Sequence, residues 1–302
     1  MMKLSGISAF LATVEAGSIS GASKRLGLAT SVVSERLAEL EKSLGAKLIQ
    51  RTTRKLSLTE SGLSFLPRAQ RIMREADEAE AELAERSGKL AGPLRLSAPV
   101  SFGALHLGPA LCKFLTEHPQ IDITLELDDR FVDAAADGFD AVLRHGSVSD
   151  TRLIANRIAT SRRLLVASPG YLMEHGHPTS LAELDHHRGI LYSNRESDWR
   201  FDTLTGWSVV RPRPALRVNN GMIMKDAALA GIGIALLPTF FVHDSIARGD
   251  LAEINISARA EGAELFITYP RDHGASAKII ALAESLRRSF GDPPYWDKHF
   301  VA

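Results

Sequence analysis

The run GSISGASKRLGLATSVVSERLAELEKSLGAKLIQRTTRKLSLTESG, residues 17–62, decides how the rest of the chain is read. Within it, ATSVVSERLAELE (Ala29–Glu41) carries Val33, Leu37 and Leu40, continued by Leu44, at helical spacing. Successive helical residues turn by about 100°, so this stripe leaves Ser31, Ser34, Glu35 and Ala38 on the opposite face. The preceding segment, SISGASKRL, reads as a short helix whose Gly21, Ala22 and Ser23 permit close helix contact. Gly27 supplies a turn that needs no Cβ. A short helix, a glycine turn and a second helix with one buried and one open face make a helix-turn-helix.

Upstream, LSGISAFLATVEA (residues 4–16) predicts a further helix with Leu4, Ile7, Phe10, Leu11 and Val14 on its apolar side. Downstream, β-prone segments around Leu48–Ile49 and Lys55–Ser57 flank the basic tip Arg51-Thr52-Thr53-Arg54, a small hairpin or wing. Small hydroxyls suit a helix entering a groove, and arginines suit phosphates. The expected DNA contacts are Ser18 and Ser20 on the short helix and Thr30, Ser31, Ser34, Glu35 and Arg36 on the third. Arg51, Thr52, Thr53 and Arg54 on the wing complete the set. Glu39 and Glu41 read as solvated flank charges, Glu39 pairing with Lys42 or Arg36. Glu35 faces the groove, where it can accept from a cytosine amino group or repel phosphates.

Charge distribution supports that interface. The 302-residue chain has 36 basic and 36 acidic side chains, yet residues 1–58 hold nine basic against four acidic ones. A local excess of about five attracts polyanions.

From Thr59, an expected N-cap, one long helix is predicted to about Arg86. Phe65, Ala69, Ile72, Ala76, Ala79 and Leu83 alternate four-three spacing, a coiled-coil seam expected to dimerise the chain. The alternative is packing on the chain's own C-terminal domain. Pro67 inside the pattern should bend the helix or loosen its first turns.

KLAGP (Lys89–Pro93) reads as a hinge-like linker, after which strands and helices alternate as in parallel βαβ units. LRLSAP, IDITLELD and FDAVLRHG are strands around the helix HLGPALCKFLTEHP and a short helix FVDAAADG. A second unit begins at RRLLVASP and runs through GILYSN, GMIMKDAALAG and IGIALLP. ELFITYP and SAKIIALAESLRRSF close it, and the tail GDPPYWDKHFVA is expected on the surface.

Open α/β sheets bind ligands beyond the carboxyl ends of their strands. Those ends carry Val100, Ser101 and Phe102, then Asp128 and Asp129, then Arg144 and His145. Ser168, Ser193, Asn219 and Asn220 come from the second unit. The expectation is a small carboxylate clamped near Ser101, Arg144 and Asn220. An ion pair of Arg144 with Asp128 or Asp129 is an equally open reading.

Cys112 is the sole cysteine, which excludes an internal disulfide or a thiolate zinc cluster. It reads as a buried small hydrophobe. His175, His177, His186 and His187 fit no helical zinc motif. Gly231-Ile232-Gly233 stands between helix and strand, the reverse of a dinucleotide fingerprint, and no nucleophile elbow occurs. No metal, cofactor or enzymatic activity is expected. Without a signal-peptide core or a membrane-length apolar run, a cytoplasmic location is expected.

Residues 17–62 resemble the N-terminal signature of the LysR-type transcriptional regulators. The likeness continues to about residue 270 through LRLSAPVSFG, DGFDAVLRHG, LLVASPGYL and NNGMIMKDAALAGIGIALLP. The resemblance implies a winged helix-turn-helix domain (1–58) and a linker, or dimerisation, helix (59–88). It also implies an α/β effector domain like periplasmic binding proteins (93–302). Subdomain I would span about 93–161 and 267–302, and subdomain II about 162–266. It further implies a homodimer, often joined into tetramers, that binds double-stranded promoter DNA under control of a small-molecule effector. Two positions depart from the family. Its recognition helix usually opens with a Ser or Thr cap, whereas here Ala29 leaves Thr30 to serve one residue later. A basic residue is common where Glu35 stands. The competing readings are a cytoplasmic solute-binding protein and an enzyme with a DNA-binding appendage.

Overall fold

The computed structural model describes residues 1–51, 56–85, 90–130, 137–146, 148, 150–194, 199–262, 264–271 and 276–300. The chain divides into two compact units, Met1–Pro93 and Leu94–Ala302.

In the first unit, α1 (Leu4–Ala16) packs on α2 (Ile19–Leu26) and α3 (Thr30–Leu44). Its core joins Ile7 and Phe10 of α1, Leu37 and Leu40 of α3, and Leu48 and Ile49 at the start of the following strand. Ala9, Ala12, Ala22 and Val33 form a second cluster at the α1–α2–α3 crossing. The Val33–Leu37–Leu40 stripe is therefore inside, whereas Leu44 is 37% exposed at the helix end. Gly27, at φ 62, ends α2 in the left-handed region and makes the turn into α3. The wing is a hairpin of β1 (Ile49–Arg51) and β2 (Leu56–Leu58). Its tip, with the expected contacts Thr52, Thr53 and Arg54, and the Arg51 side chain lie outside the described residues.

Thr59 caps α4 (Glu60–Glu85) by accepting from the Gly62 N–H at 2.9 Å, and the helix runs unbroken through Pro67. A Cβ on Gly62 would lie 2.1 Å from the Leu48 carbonyl oxygen, so this residue lets the helix start against the wing. The expected dimerisation seam divides. Ala69 is fully buried, and Phe65 and Ile72 pack on the same core, Phe65 with its ring 5.7 Å from Phe10. The first two turns of the seam thus anchor α4 to α1, a contact the heptad spacing alone could not distinguish from a second copy. Ala76 is half-buried and Ala79 exposed; the Leu83 side chain lies outside the described residues.

In the second unit two five-stranded sheets form. One has the order β4-β3-β5-β15-β6, from β3 (Gly92–Ala98), β4 (Ile121–Leu127), β5 (Ala141–His145), β6 (Leu153–Ala159) and β15 (Leu265–Pro270). The other has the order β11-β8-β12-β7-β13, from β7 (Arg163–Ala167), β8 (Arg188–Tyr192), β11 (Arg213–Val218), β12 (Ile234–Pro238) and β13 (Ala252–Glu253). β9 (Arg200–Thr203), β10 (Gly206–Val209) and β14 (Arg259–Ala260) make a small third sheet. β3–β5, β8–β11 and β8–β12 are parallel, as βαβ connections require. β15 and β7 break that pattern: β15 is antiparallel to β5 and β6, and β7 to β12 and β13. Both sheets are therefore mixed, because each receives a strand that enters from the other side of the unit.

The helices are α5 (Val100–Phe102), continuing through a wide turn, Gly103–Leu107, into α6 (Gly108–Glu117). Then come α7 (Pro169–His175), α8 (Gly221–Leu229), α9 (Thr239–Ala247) and α10 (Ala277–Phe290). The segment FVDAAADG, expected as a helix, falls mostly outside the described residues. Cys112 is exposed on α6, not buried. The tail is not a surface strip either: Trp296 is 0% and Asp297 1% exposed.

Candidate nucleic-acid interface and ligand cavity

On α3, Ser31, Glu35 and Ala38 are exposed, and Ser34 and Arg36 are half-buried. The face opposite the buried stripe is thus open and lined by small side chains around one carboxylate. Ala29 is the N-cap, with extended backbone and no side-chain cap bond. Thr30 is therefore the first helical residue and not the cap. Its hydroxyl donates to Ser23 Oγ at 3.2 Å, tying α3 back to α2. Ser18 is spent on capping α2, accepting from the Gly21 N–H at 3.0 Å, while Ser20 is exposed.

The three acids separate in a way the helix period does not give. Glu39 pairs with Lys3 of α1 at 3.0 Å, both side chains exposed, instead of with Lys42 or Arg36. Glu41 is not a solvated charge. It is 7% exposed, and its Oε1 accepts from the Leu48 and Ile49 N–H groups at 3.0 and 3.2 Å. Its Oε2 takes Lys47 Nζ at 2.6 Å. Burial alone raises this carboxyl's pKa, but Lys47 and the two amides outweigh it and hold the net value below the usual range. Glu41 pins the start of the wing to the C-terminal half of α3. Only Glu35 remains as an acid facing outward from the middle of the recognition face.

In the second unit a cavity of about 730 Å³ opens between the two large sheets. From the first sheet and the segments that follow its strands it receives Ser101, Phe102, Asp128, Asp129, Arg144 and His145, and from the second half Asn219, all expected from sequence. Arg163, Tyr192, Asn194, Met224, Phe240 and Phe241 also line it and were not anticipated. The wall is aromatic: the His145 ring stacks on Phe240 at 4.9 Å and meets Phe102 edge-on at 5.1 Å.

The remaining expected residues stand apart from the lining. Val100 is exposed at the start of α5. Asn220 caps α8 with its side-chain oxygen, which accepts from Met222 and Ile223 N–H. Its amide donates to Ser101 Oγ and Asp129 Oδ2, each at 3.3 Å, and so joins the two sheets' units at the rim. Ser168 caps α7, and Ser193 is exposed in a turn. Ser168 misses because β7 runs antiparallel to β12. Its carboxyl end points away and its first residue, Arg163, beside Pro238, reaches the cavity. Asp128 pairs with Arg130 at 2.6 Å, which lowers its pKa, and Asp129 Oδ1 accepts from the Val100 N–H at 2.9 Å.

Among the described residues no His, Cys, Asp and Glu group could hold a metal ion. No described helix is long and apolar enough to cross a membrane.

Comparison with known proteins matches a family to each of these two regions. Residues 4–63 match the family described as bacterial regulatory helix-turn-helix protein, lysR family, and residues 87–291 match the LysR substrate binding domain. An uncharacterised HTH-type transcriptional regulator of Haemophilus influenzae is 32% identical over 285 residues, covering 94% of this chain and 99% of its own. The HTH-type transcriptional regulator PtxR of Pseudomonas aeruginosa is 31% identical over 298 residues, covering 97% and 95%. The structure of CrgA, a LysR-type transcriptional regulator from Neisseria meningitidis, superposes with TM-score 0.57 at 30% identity over 94% of this chain and 96% of that one. An open recognition helix beside a wing, a ligand-sized cleft and both matched domains lead to one conclusion: the chain belongs to the LysR family of DNA-binding transcriptional regulators.

Proposed function

We propose that this regulator binds promoter DNA as a homodimer and is controlled by a small organic anion in the cavity. Arg144 from β5 and Arg163 from β7 line one cavity from opposite sheets, and this single observation carries the reading. Guanidinium groups are matched to carboxylates by geometry as well as charge. Ser101 and Asn219 add polar contacts, and Phe102, Phe240 and Phe241 offer apolar area for the ligand's carbon frame. Asn220 acts at one remove, holding the rim through Ser101 and Asp129.

On DNA, Ser31, Ser34, Glu35 and Arg36 are assigned to the major groove. Ser18, Ser20, Thr30 and the wing residues Arg51, Thr52, Thr53 and Arg54 are assigned to the backbone or the minor groove. The dimer contact is assigned to the outer part of α4, from Ala76 and Ala79 to Leu83, since Phe65, Ala69 and Ile72 are taken by the first unit's own core. Two such dimers joined would give a tetramer.

Calorimetry of the full chain against a panel of small carboxylates, with Arg144→Ala beside the wild type, tests the cavity. Loss of a buried charge pair costs about 2–5 kcal/mol, so the variant should bind at least about tenfold more weakly. Equal affinity in both would remove Arg144 from the site.

A further inference from the structure

The chain passes between the two large sheets twice, from β6 to β7 after Ala159 and again on the way from β13 to β15. These crossovers run side by side: a Cβ on Gly262 would lie 3.3 Å from the Ser161 carbonyl oxygen. Two adjacent crossovers make a hinge about which the two halves of the unit can turn.

The tail after α10 adds a third connection at the same place. α10 packs on β6 and α6, with the first sheet. Beyond Phe290 the chain turns, and Trp296 enters the interior. Its ring lies 5.2 Å from Phe290, 6.0 Å from Phe102 and 5.0 Å from His106. It also lies 6.3 Å from Phe240, which belongs to α9 and the second half. The next residue, Asp297, accepts from the Thr239 hydroxyl at the start of α9. Phe300 O accepts from Arg162 Nη1 at 2.6 Å, on the first crossover itself. The Thr239 N–H in turn donates to Arg162 O at 2.9 Å.

His106 closes the circle. Its Nδ1 bonds to the Tyr295 hydroxyl and its Nε2 meets Phe240 O at 3.1 Å. Burial above all brings its pKa down to about 4, and the nearby His243 adds to this; the ring is neutral at ordinary pH and bridges without a charge. Burial likewise raises the Asp297 carboxyl. A carboxyl sunk this deep is costly to keep, and its return here is a fixed bond to the other half.

We propose that residues 291–300 form a clasp that pins α9 to the first half at the hinge, so that the cavity opens and closes by rotation about this clasp. Phe102 and Phe240, the rings that Trp296 backs, are also cavity wall, so the clasp sets the wall's position as well as the axis. At the opposite edge Asn220 bonds to Ser101 and Asp129, and Asn194 Nδ2 donates to Asp129 O at 3.2 Å. Rotation about the clasp opens the cavity at this edge. The clasp does not depend on which molecule fills the cavity.

The chain supplies half of the probe pair. Cys112, its sole cysteine, is exposed on α6 in the first half, and Met173 on α7 in the second is 83% exposed. Spin labels on Cys112 and on Met173→Cys, in full-length chains diluted with unlabelled ones, report the distance between halves. Wild type should give one narrow distribution. Thr239→Val keeps the shape and removes the hydroxyl; it should broaden the distribution at least about twofold, with unchanged circular dichroism. Asp297→Asn retains an acceptor oxygen for Thr239 and should stay narrow, while Asp297→Ala should broaden like Thr239→Val. A wild-type width in Thr239→Val, or equal broadening in Asp297→Asn and Asp297→Ala, overturns the clasp.

Discussion

Replacing Glu41 by alanine should loosen the wing from the recognition helix and weaken DNA binding without touching any exposed DNA-facing residue. The side chain satisfies two buried backbone N–H groups, Leu48 and Ile49, and one lysine whose own side chain is 76% exposed. A hydrogen bond to a charged group contributes about 1.5–3 kcal/mol, so two give roughly 3–6. The Lys47 pair adds less than about 1 kcal/mol, because its ammonium is hydrated. A loss near 4 kcal/mol is large against the roughly 5–15 kcal/mol that small domains possess. Glu41→Gln keeps one acceptor oxygen and should lose about half. All three tryptophans and all four tyrosines lie beyond residue 170, so fluorescence does not report on this unit. Amide hydrogen exchange does: at about 1.4 kcal/mol per decade, residues 48 and 49 should lose roughly a thousandfold in protection in Glu41→Ala. The pH dependence has a definite sign. Glu41's folded pKa lies below its unfolded value, so its contribution is complete above the ordinary glutamate pKa of about 4.3. It fades as pH falls from there through the lowered folded value. Protection unchanged to within about threefold in Glu41→Ala would refute this reasoning.

Glu35→Arg should raise non-specific DNA affinity and steepen the salt dependence of binding by about one unit, and broaden sequence preference. Unchanged discrimination in a selection on randomised operators would count against the outward placement of Glu35. Trp296→Ala should destabilise the regulatory unit by about 3–5 kcal/mol, lowering its melting temperature by roughly 10 °C. Trp296→Phe should lose less than half of that, and a change under about 2 °C in the alanine variant would contradict the tail's burial.

The helices of the first unit were legible because their apolar residues repeat at the helical period, and Val33, Leu37 and Leu40 lie inside as spaced. Glu41 was not, because its environment is made by amides seven and eight residues away that fold back around the wing. Period 3.6 says which face a residue occupies, not what arrives to cover it. The same holds for Phe65, Ala69 and Ile72, whose seam spacing is real but whose partner is α1. In the cavity, the strand-end rule found Ser101, Phe102, Asp128, Arg144 and His145, since β3, β4 and β5 point their carboxyl ends toward the cleft. It chose Ser168 over Arg163 because sequence does not carry strand direction, and β7 is antiparallel to its neighbours. Phe240 and Trp296 were hidden for a related reason: their burial depends on a tail returning to the hinge from the end of α10.

The central claim is that occupancy of the cavity changes sequence-specific binding at the helix-turn-helix. Its most direct measurement is a gel-shift titration of the full chain on the promoter region of its own gene, across a salt series. It is run with and without the carboxylate that binds most tightly in the calorimetric panel. Wild type should bind with salt-sensitive, sequence-preferring affinity that the carboxylate shifts severalfold, and Arg144→Ala should bind the same DNA but lose the shift. Binding that is indifferent to sequence, or a shift that survives intact in Arg144→Ala, would contradict the account.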